Sequence, residues 1–119
     1  MTVELTPQKF LKLLSDSTRL RCLMLLLQQD ELCVCELTYA LDTIQPKISR
    51  HFATLRQNGV VSDRRSGQWI HYRINPDLPD WSRELLQATL SGIKDQKQFK
   101  TDLKKLRGMS GRPDKRVCN

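Results

Sequence analysis

The feature that most constrains this chain is a change of apolar period at Asn58-Gly59. Before it, in QPKISRHFATLRQNG (45–59), Ile48, Phe52 and Leu55 recur at i, i+4 and i+7, which is one face of an α-helix. After it, Val60-Val61 and Trp69-Ile70-His71-Tyr72-Arg73-Ile74 are β-branched and aromatic, and they flank the polar stretch Arg64-Arg65-Ser66-Gly67-Gln68. That pattern predicts a β-hairpin with 64–68 as its turn. Asn58-Gly59 suits a left-handed helix C-cap. A helix that stops and hands over at once to a hairpin leaves few folds open.

The upstream pattern narrows them further. Thr6 as N-cap and Pro7 at the first helical position start a helix whose apolar face carries Phe10, Leu11, Leu13 and Leu14. Ser15-Asp16-Ser17 breaks it and caps a second helix from about Thr18 to Gln28. A third, short helix is predicted from Cys33 to Leu41, followed by the turn Asp42-Thr43-Ile44-Gln45. Pro46 is tolerated in the first turn of the fourth helix, where its missing N–H has no partner. A last helix starts near Pro79-Asp80 and is expected to continue to about Leu106. Two short helices joined by a tight turn and followed by a hairpin make a winged helix-turn-helix, so the expected class is mainly α with a small β-hairpin. The expected organisation is one DNA-binding and dimerisation domain over 1–107. A flexible basic tail over 108–119 begins where Gly108, Gly111 and Pro113 end regular structure.

Charge supports that assignment. The net charge is +7, but residues 43–73 alone sum to +5 between two flanks of −2, and 94–119 sum to +6. A basic block between acidic flanks is the footprint of a nucleic-acid contact. In a helix-turn-helix the second helix enters the major groove. Its outward residues here are Gln45, Lys47, Ser49 and Arg50, with His51 between the apolar stripe and the basic face, where a phosphate contact and plain packing are both open to it. Gln can pair with adenine, Arg with guanine, and Lys with phosphate. Arg64, Arg65 and Gln68 at the hairpin tip are placed to reach the backbone or the minor groove. No apolar run approaches the ~20 residues that cross a bilayer, and MTVELTPQKF lacks the pattern of a signal peptide. A cytoplasmic protein with no membrane partner is expected. Neither a Gly-rich phosphate loop nor a Cys–His pair close in sequence is present, so an enzyme is not expected.

Four cysteines occupy 22, 33, 35 and 118. Cys22, within LRCLMLLL, reads as a small buried hydrophobe. Cys33 and Cys35, in ELCVCEL, are open to three readings: packed thiols, a disulfide, or ligands for a soft ion.

ELCVCEL at 31–37, IQPKISRH at 44–51, SGQWIHYRI at 66–74 and LSDSTRLRCL at 14–23 together resemble the arsenic-responsive repressors of the ArsR/SmtB family, over roughly residues 6–95. The resemblance implies a homodimer on palindromic double-stranded operator DNA, with no cofactor needed for folding. Release would follow binding of trivalent arsenic or antimony at Cys33 and Cys35. It implies a dimer held by the first and last helices, through Phe10, Leu11, Leu14, Trp81, Leu85, Leu86, Leu90 and Ile93. Similar proteins have a third cysteine where this chain has Thr38, so Cys118, a hydroxide or a small thiol is left as the third ligand. On a regular helix, positions i and i+2 point some 200° apart, at about 100° per residue. Binding is therefore expected to distort the start of the third helix. The alternatives are a cadmium- or lead-responsive repressor, a thiol-redox repressor of the same fold and, remotely, a thiol-dependent arsenate reductase. A zinc site on the last helix would need His ligands, and 80–100 contain none.

Overall fold

Thr6 and Pro7 begin α1 (Pro7–Leu14) as their chemistry predicts, the Thr6 hydroxyl accepting the Lys9 N–H at 3.2 Å. Asp16 caps α2 (Ser17–Gln29) in the same way, through the Arg19 N–H at 3.0 Å. The computed structural model describes residues 5–110, so Cys118 and the tail from 111 onward lie outside the described residues. Next come β1 (Leu32–Cys33), α3 (Val34–Leu41), α4 (Gln45–Gln57), β2 (Val61–Ser66) and β3 (Trp69–Ile74). Then α5 (Asp80–Ile93) and α6 (Lys97–Arg107) complete the described chain. No helix among the described residues is long and apolar enough to cross a membrane.

The winged helix-turn-helix is present: α3, a tight turn, α4, then the β2–β3 hairpin. The α3–α4 turn is made by Asp42 at φ 53°, whose N–H bonds the Tyr39 carbonyl while Thr43 N–H bonds that of Thr38. At the far end of α4, Gly59 takes φ 76°, and the N–H groups of Gly59 and Val60 close on the carbonyls of Arg56 and Leu55, both at 3.0 Å. This is the Schellman arrangement that Asn58-Gly59 implied.

Three details differ from the sequence reading. First, Cys33 is not helical: it lies in a strand and forms the N-cap of α3, which starts at Val34. β1 pairs antiparallel with β3, giving a sheet of order β1-β3-β2. A two-residue strand is too short to show alternation, and only pairing with a distant segment creates it. Second, Arg64, Arg65 and Ser66 belong to β2, and the hairpin turns on Gly67-Gln68 alone, with Gly67 at φ 60°. Glycine first in a two-residue loop is a standard hairpin solution. Third, the last helix does not run unbroken to Leu106. It stops at Ile93, and after Lys94-Asp95-Gln96 α6 turns back. Arg21 of α2 holds it there, donating to both carboxylate oxygens of the buried Asp102 at 2.8 Å.

The core is aliphatic, with Leu23, Leu26, Leu37, Ile48, Leu55, Leu86 and Leu106 fully buried around Phe10 and Phe52. Tyr72 of β3 packs on Phe52 with ring centroids 4.5 Å apart, which fixes the wing to the recognition helix. The packing thus sets α4 and the hairpin side by side across a shared cleft.

Candidate functional site

Two sets of residues converge at the junction of β1, α3, α4 and the wing. The first is the thiol pair. Because Cys33 is extended and Cys35 sits in the first turn of α3, their Cα atoms are 5.4 Å apart and their sulfurs meet as a disulfide. The expected obstacle, two side chains diverging on one regular helix, is therefore absent. The break between strand and helix already turns both sulfurs toward one point. The Cys33 N–H donates to the buried Glu36 carboxylate at 2.9 Å. Glu36 is at the N3 position, as in a capping box, so C-x-x-E carried a legible start signal for a helix beginning one residue later than expected. Thr38 turns its hydroxyl to the Cys35 carbonyl at 2.9 Å. Among the described residues no group of three or more His, Cys, Asp or Glu side chains is arranged to hold a metal ion. Cys22 is fully buried in α2, and burial pushes its thiol up to about 12, so it is not a thiolate at neutral pH.

Cys35 opens onto a cleft of about 440 Å³. One wall is Gln45 and Ser49 of α4; the other is Gln68, Trp69, Ile70 and Tyr72 of the wing. A group held at Cys35 would thus touch both elements that face outward. The sheet links the pair to the wing a second time, since Cys33 is opposite His71 and Leu32 opposite Tyr72. Arg64 on β2 reaches back to Glu31, donating at 2.9 and 2.7 Å to its two oxygens. That ion pair holds the Glu31 carboxyl below its ordinary value.

The second set is the basic face. Gln45, Lys47 and Arg50 are exposed on α4, with Ser49 half-buried and accepting from Gln45 Nε2 at 3.0 Å. Arg65 and Gln68 are exposed on the wing. Two further candidates have partners outside their own element. Arg64 is engaged with Glu31. His51 points to the start of α2, where Arg19 Nη1 lies 3.2 Å from its Nδ1 and Asp16 Oδ1 lies 3.7 Å from its Nε2. Burial pushes this ring below its ordinary value; Asp16 pulls the other way, and Arg19, Lys47 and Arg50 add to the lowering. A neutral ring accepting from Arg19 packs α4 against α2; of the two roles open to His51, the geometry supports packing. His71 is buried on β3, as a structural residue would be.

Of the apolar residues assigned to a dimer contact, Phe10 and Leu86 are buried within the chain's own core, Phe10 against Trp81 at 5.5 Å. Leu11 and Trp81 are exposed, and Leu14, Leu85, Leu90 and Ile93 are half-buried. Glu31 and Glu36 belong to the site and were not singled out from sequence. The Glu31–Arg64 pairing spans 33 residues and leaves no local signal.

The comparisons with known proteins fall on the same residues. The family described as "Bacterial regulatory protein, arsR family" matches residues 16–63, from the cap of α2 into β2. The arsenic resistance transcriptional regulator ArsR2 of Pseudomonas putida is 50% identical over 109 residues, covering 92% of this chain and 93% of the relative. Among solved structures, HlyU from Vibrio cholerae is similar at a TM-score of 0.63 and 29% identity, covering 70% of this chain and 86% of that one. The AntR antimony-specific transcriptional repressor is similar at 0.62 and 27%, covering 79% and 87%. The winged helix-turn-helix and the similarity along nearly the whole length of a named regulator lead to one conclusion: the chain belongs to the ArsR family of bacterial regulatory proteins.

Proposed function

We propose that the protein is a DNA-binding repressor whose operator complex is released when trivalent arsenic or antimony binds Cys33 and Cys35. The observation that carries this reading is where the thiol pair sits, shared between the wing's sheet and the first turn of the helix-turn-helix. Soft trivalent metalloids bind thiolates, so the pair acts in its reduced dithiol form: two sulfurs that converge on one point would each give up a proton and bond such an atom. Binding there does not require α3 to unwind. Instead, because Cys35 lines the cleft between α4 and the wing, a metalloid held by the two sulfurs would present its remaining valence to that cleft. Filling that cleft changes the spacing of the two elements that grip DNA, a differential contact of the kind allostery requires. Relatives are consistent with this reading, since similar proteins are named for arsenic resistance and for antimony specificity.

The DNA contact assigned to α4 uses Gln45, Lys47, Ser49 and Arg50, with Arg65 and Gln68 of the wing. Arg64 contributes only if its bond to Glu31 yields. The apolar residues left uncovered on α1 and α5, Leu11 and Trp81 foremost, are the surface through which two copies would pair. A second reading uses the same pair: oxidation to the Cys33–Cys35 disulfide rather than ligation of a metalloid.

Fluorescence anisotropy of the protein on DNA from upstream of its gene tests both readings. Arsenite and antimonite are expected to release DNA at micromolar levels, and the Cys33→Ser/Cys35→Ser variant is expected to bind DNA and ignore them. Release by peroxide but not by arsenite would favour the redox reading. Hydrogen exchange separates the route: arsenite should change protection at the β3 amides opposite β1, His71 and Tyr72, as well as in α3. A change confined to 33–41 would exclude coupling through the sheet.

A further inference from the structure

At the start of the recognition helix the chain breaks two local rules in one residue. Ile44 occupies the N-cap of α4, with φ −82° and ψ 147°, and makes no side-chain capping bond. Isoleucine is among the poorest N-cap residues, because it has no acceptor for the free N–H groups of the first turn. The same chain caps α1 with Thr6 and α2 with Asp16, each through a side-chain bond, while α5 after Pro79 and α6 after Gln96 lack one as α4 does; of these three N-caps Ile44 is the large exposed hydrophobic. The neighbouring Thr43 does not substitute, since its hydroxyl turns back to the Leu41 carbonyl at 3.3 Å. Ile44 is also 67% exposed, more than the other large exposed hydrophobics of the described residues, Leu11, Tyr39 and Trp81. Neither cost is offset by packing within the chain.

The position explains what offsets them. The N-terminal residues of a recognition helix are the ones that meet base edges in the major groove. Ile44 is followed directly by Gln45 and, two residues further, by Lys47, both exposed. An apolar side chain at that spot has one natural partner among the groups a base pair displays there, the C5-methyl of thymine. We infer that Ile44 reads a thymine methyl in each operator half-site, so that the residue trades a helix cap for sequence selectivity. This rests on the proposed reading that α4 enters the major groove. It adds an apolar contact to a face otherwise made of hydrogen-bonding groups.

The test replaces single thymines by deoxyuridine, which removes the methyl and keeps base pairing. The full chain first selects a duplex from random sequence, and each thymine of the selected site is then substituted in turn. For the wild-type protein, one position per half-site is expected to weaken binding about fourfold, the worth of roughly one buried CH₂ converted to a ratio. The variant Ile44→Ser, which restores a capping hydroxyl and so folds, loses the contact in both half-sites and should bind the thymine duplex about as weakly as wild type binds the duplex carrying uracil at both symmetric positions. It should lose nothing more at that position. Equal losses in both proteins, or no thymine whose methyl matters to wild type, would overturn the inference while leaving DNA binding intact. So would a change in oligomeric state of Ile44→Ser with unchanged base preference, which would assign the residue to a contact with a second copy. Selection of no duplex at all would instead overturn the DNA-binding reading, and this inference with it.

Discussion

His51 shows how one residue can be placed by structure in a role that its position in the sequence left undecided. It sits between the apolar stripe of α4 and the basic face, yet its ring nitrogens meet Arg19 and Asp16 rather than solvent. Its folded-state value is lowered by burial first and then by Arg19, Lys47 and Arg50, against Asp16. A base that is harder to protonate when folded makes stability rise with pH. That contribution is complete above the ordinary histidine value of about 6.5 and is lost as pH falls through the folded-state value. Glu31 and Asp16, whose folded-state values are also lowered, lose their contributions only at more acidic pH. The urea midpoint of the wild-type protein is therefore expected to fall between about pH 7 and about pH 5. In His51→Gln the fall over that window should shrink. Equal falls in the two proteins would show that His51 is not the group responsible.

Among the elements, α6 is the one tied to the rest of the chain by a buried ion pair. It is amphipathic and strongly basic, with Lys97, Lys100 and Lys104 exposed. Its return onto α2 and α3 rests on buried Leu106, on the Arg21–Asp102 pair and on Lys105 lying 5.4 Å over the Tyr39 ring. Asp102 is almost completely buried and also accepts from Gln98 at 3.0 Å. Removing its cationic partner leaves a buried carboxylate without a counter-charge, which typically costs about 3–5 kcal/mol. Arg21→Met is expected to lower the unfolding free energy by that amount, read as a lower urea midpoint with an unchanged slope. Arg21→Met/Asp102→Leu should recover most of the loss, because an apolar pair of similar volume is often neutral. A cost under about 1 kcal/mol for the single variant would mean that the apolar contacts of α6, Leu106 with Phe99 and Leu103, anchor the helix.

At the scale of the whole molecule, burial divides the apolar residues of α1 and α5 into two groups that sequence pattern alone treats alike. Leu86 is fully buried, whereas Leu11 is 53% exposed. Leu86→Ala should cost about 2–5 kcal/mol of folding stability through the cavity it leaves. Leu11→Ser should leave unfolding of the single chain nearly unchanged and weaken self-association, read by sedimentation equilibrium. The reverse pattern, a stable Leu86→Ala and a collapsed Leu11→Ser, would reject this division of the surface.

The sequence by itself determined the elements whose causes are local. The caps at Thr6 and Asp16, the C-terminus of α4 at Gly59, and the switch from helical to alternating period were all readable. Each rests on contacts within a few residues. So did the basic face of α4 and the placing of two cysteines next to it, which together identified the family. Tertiary structure decided everything that depends on residues far apart in the chain. Cys33 becomes extended only because β3, some forty residues later, offers a strand to pair with. Arg64 leaves the turn because the pairing register extends to Ser66 and Trp69. The helix after Pro79 breaks at Ile93 and returns because Asp102 finds Arg21 on α2. Local propensity is indifferent in each case. The choice is made by a hydrogen-bonded strand or a buried ion pair that exists only once the chain has closed on itself.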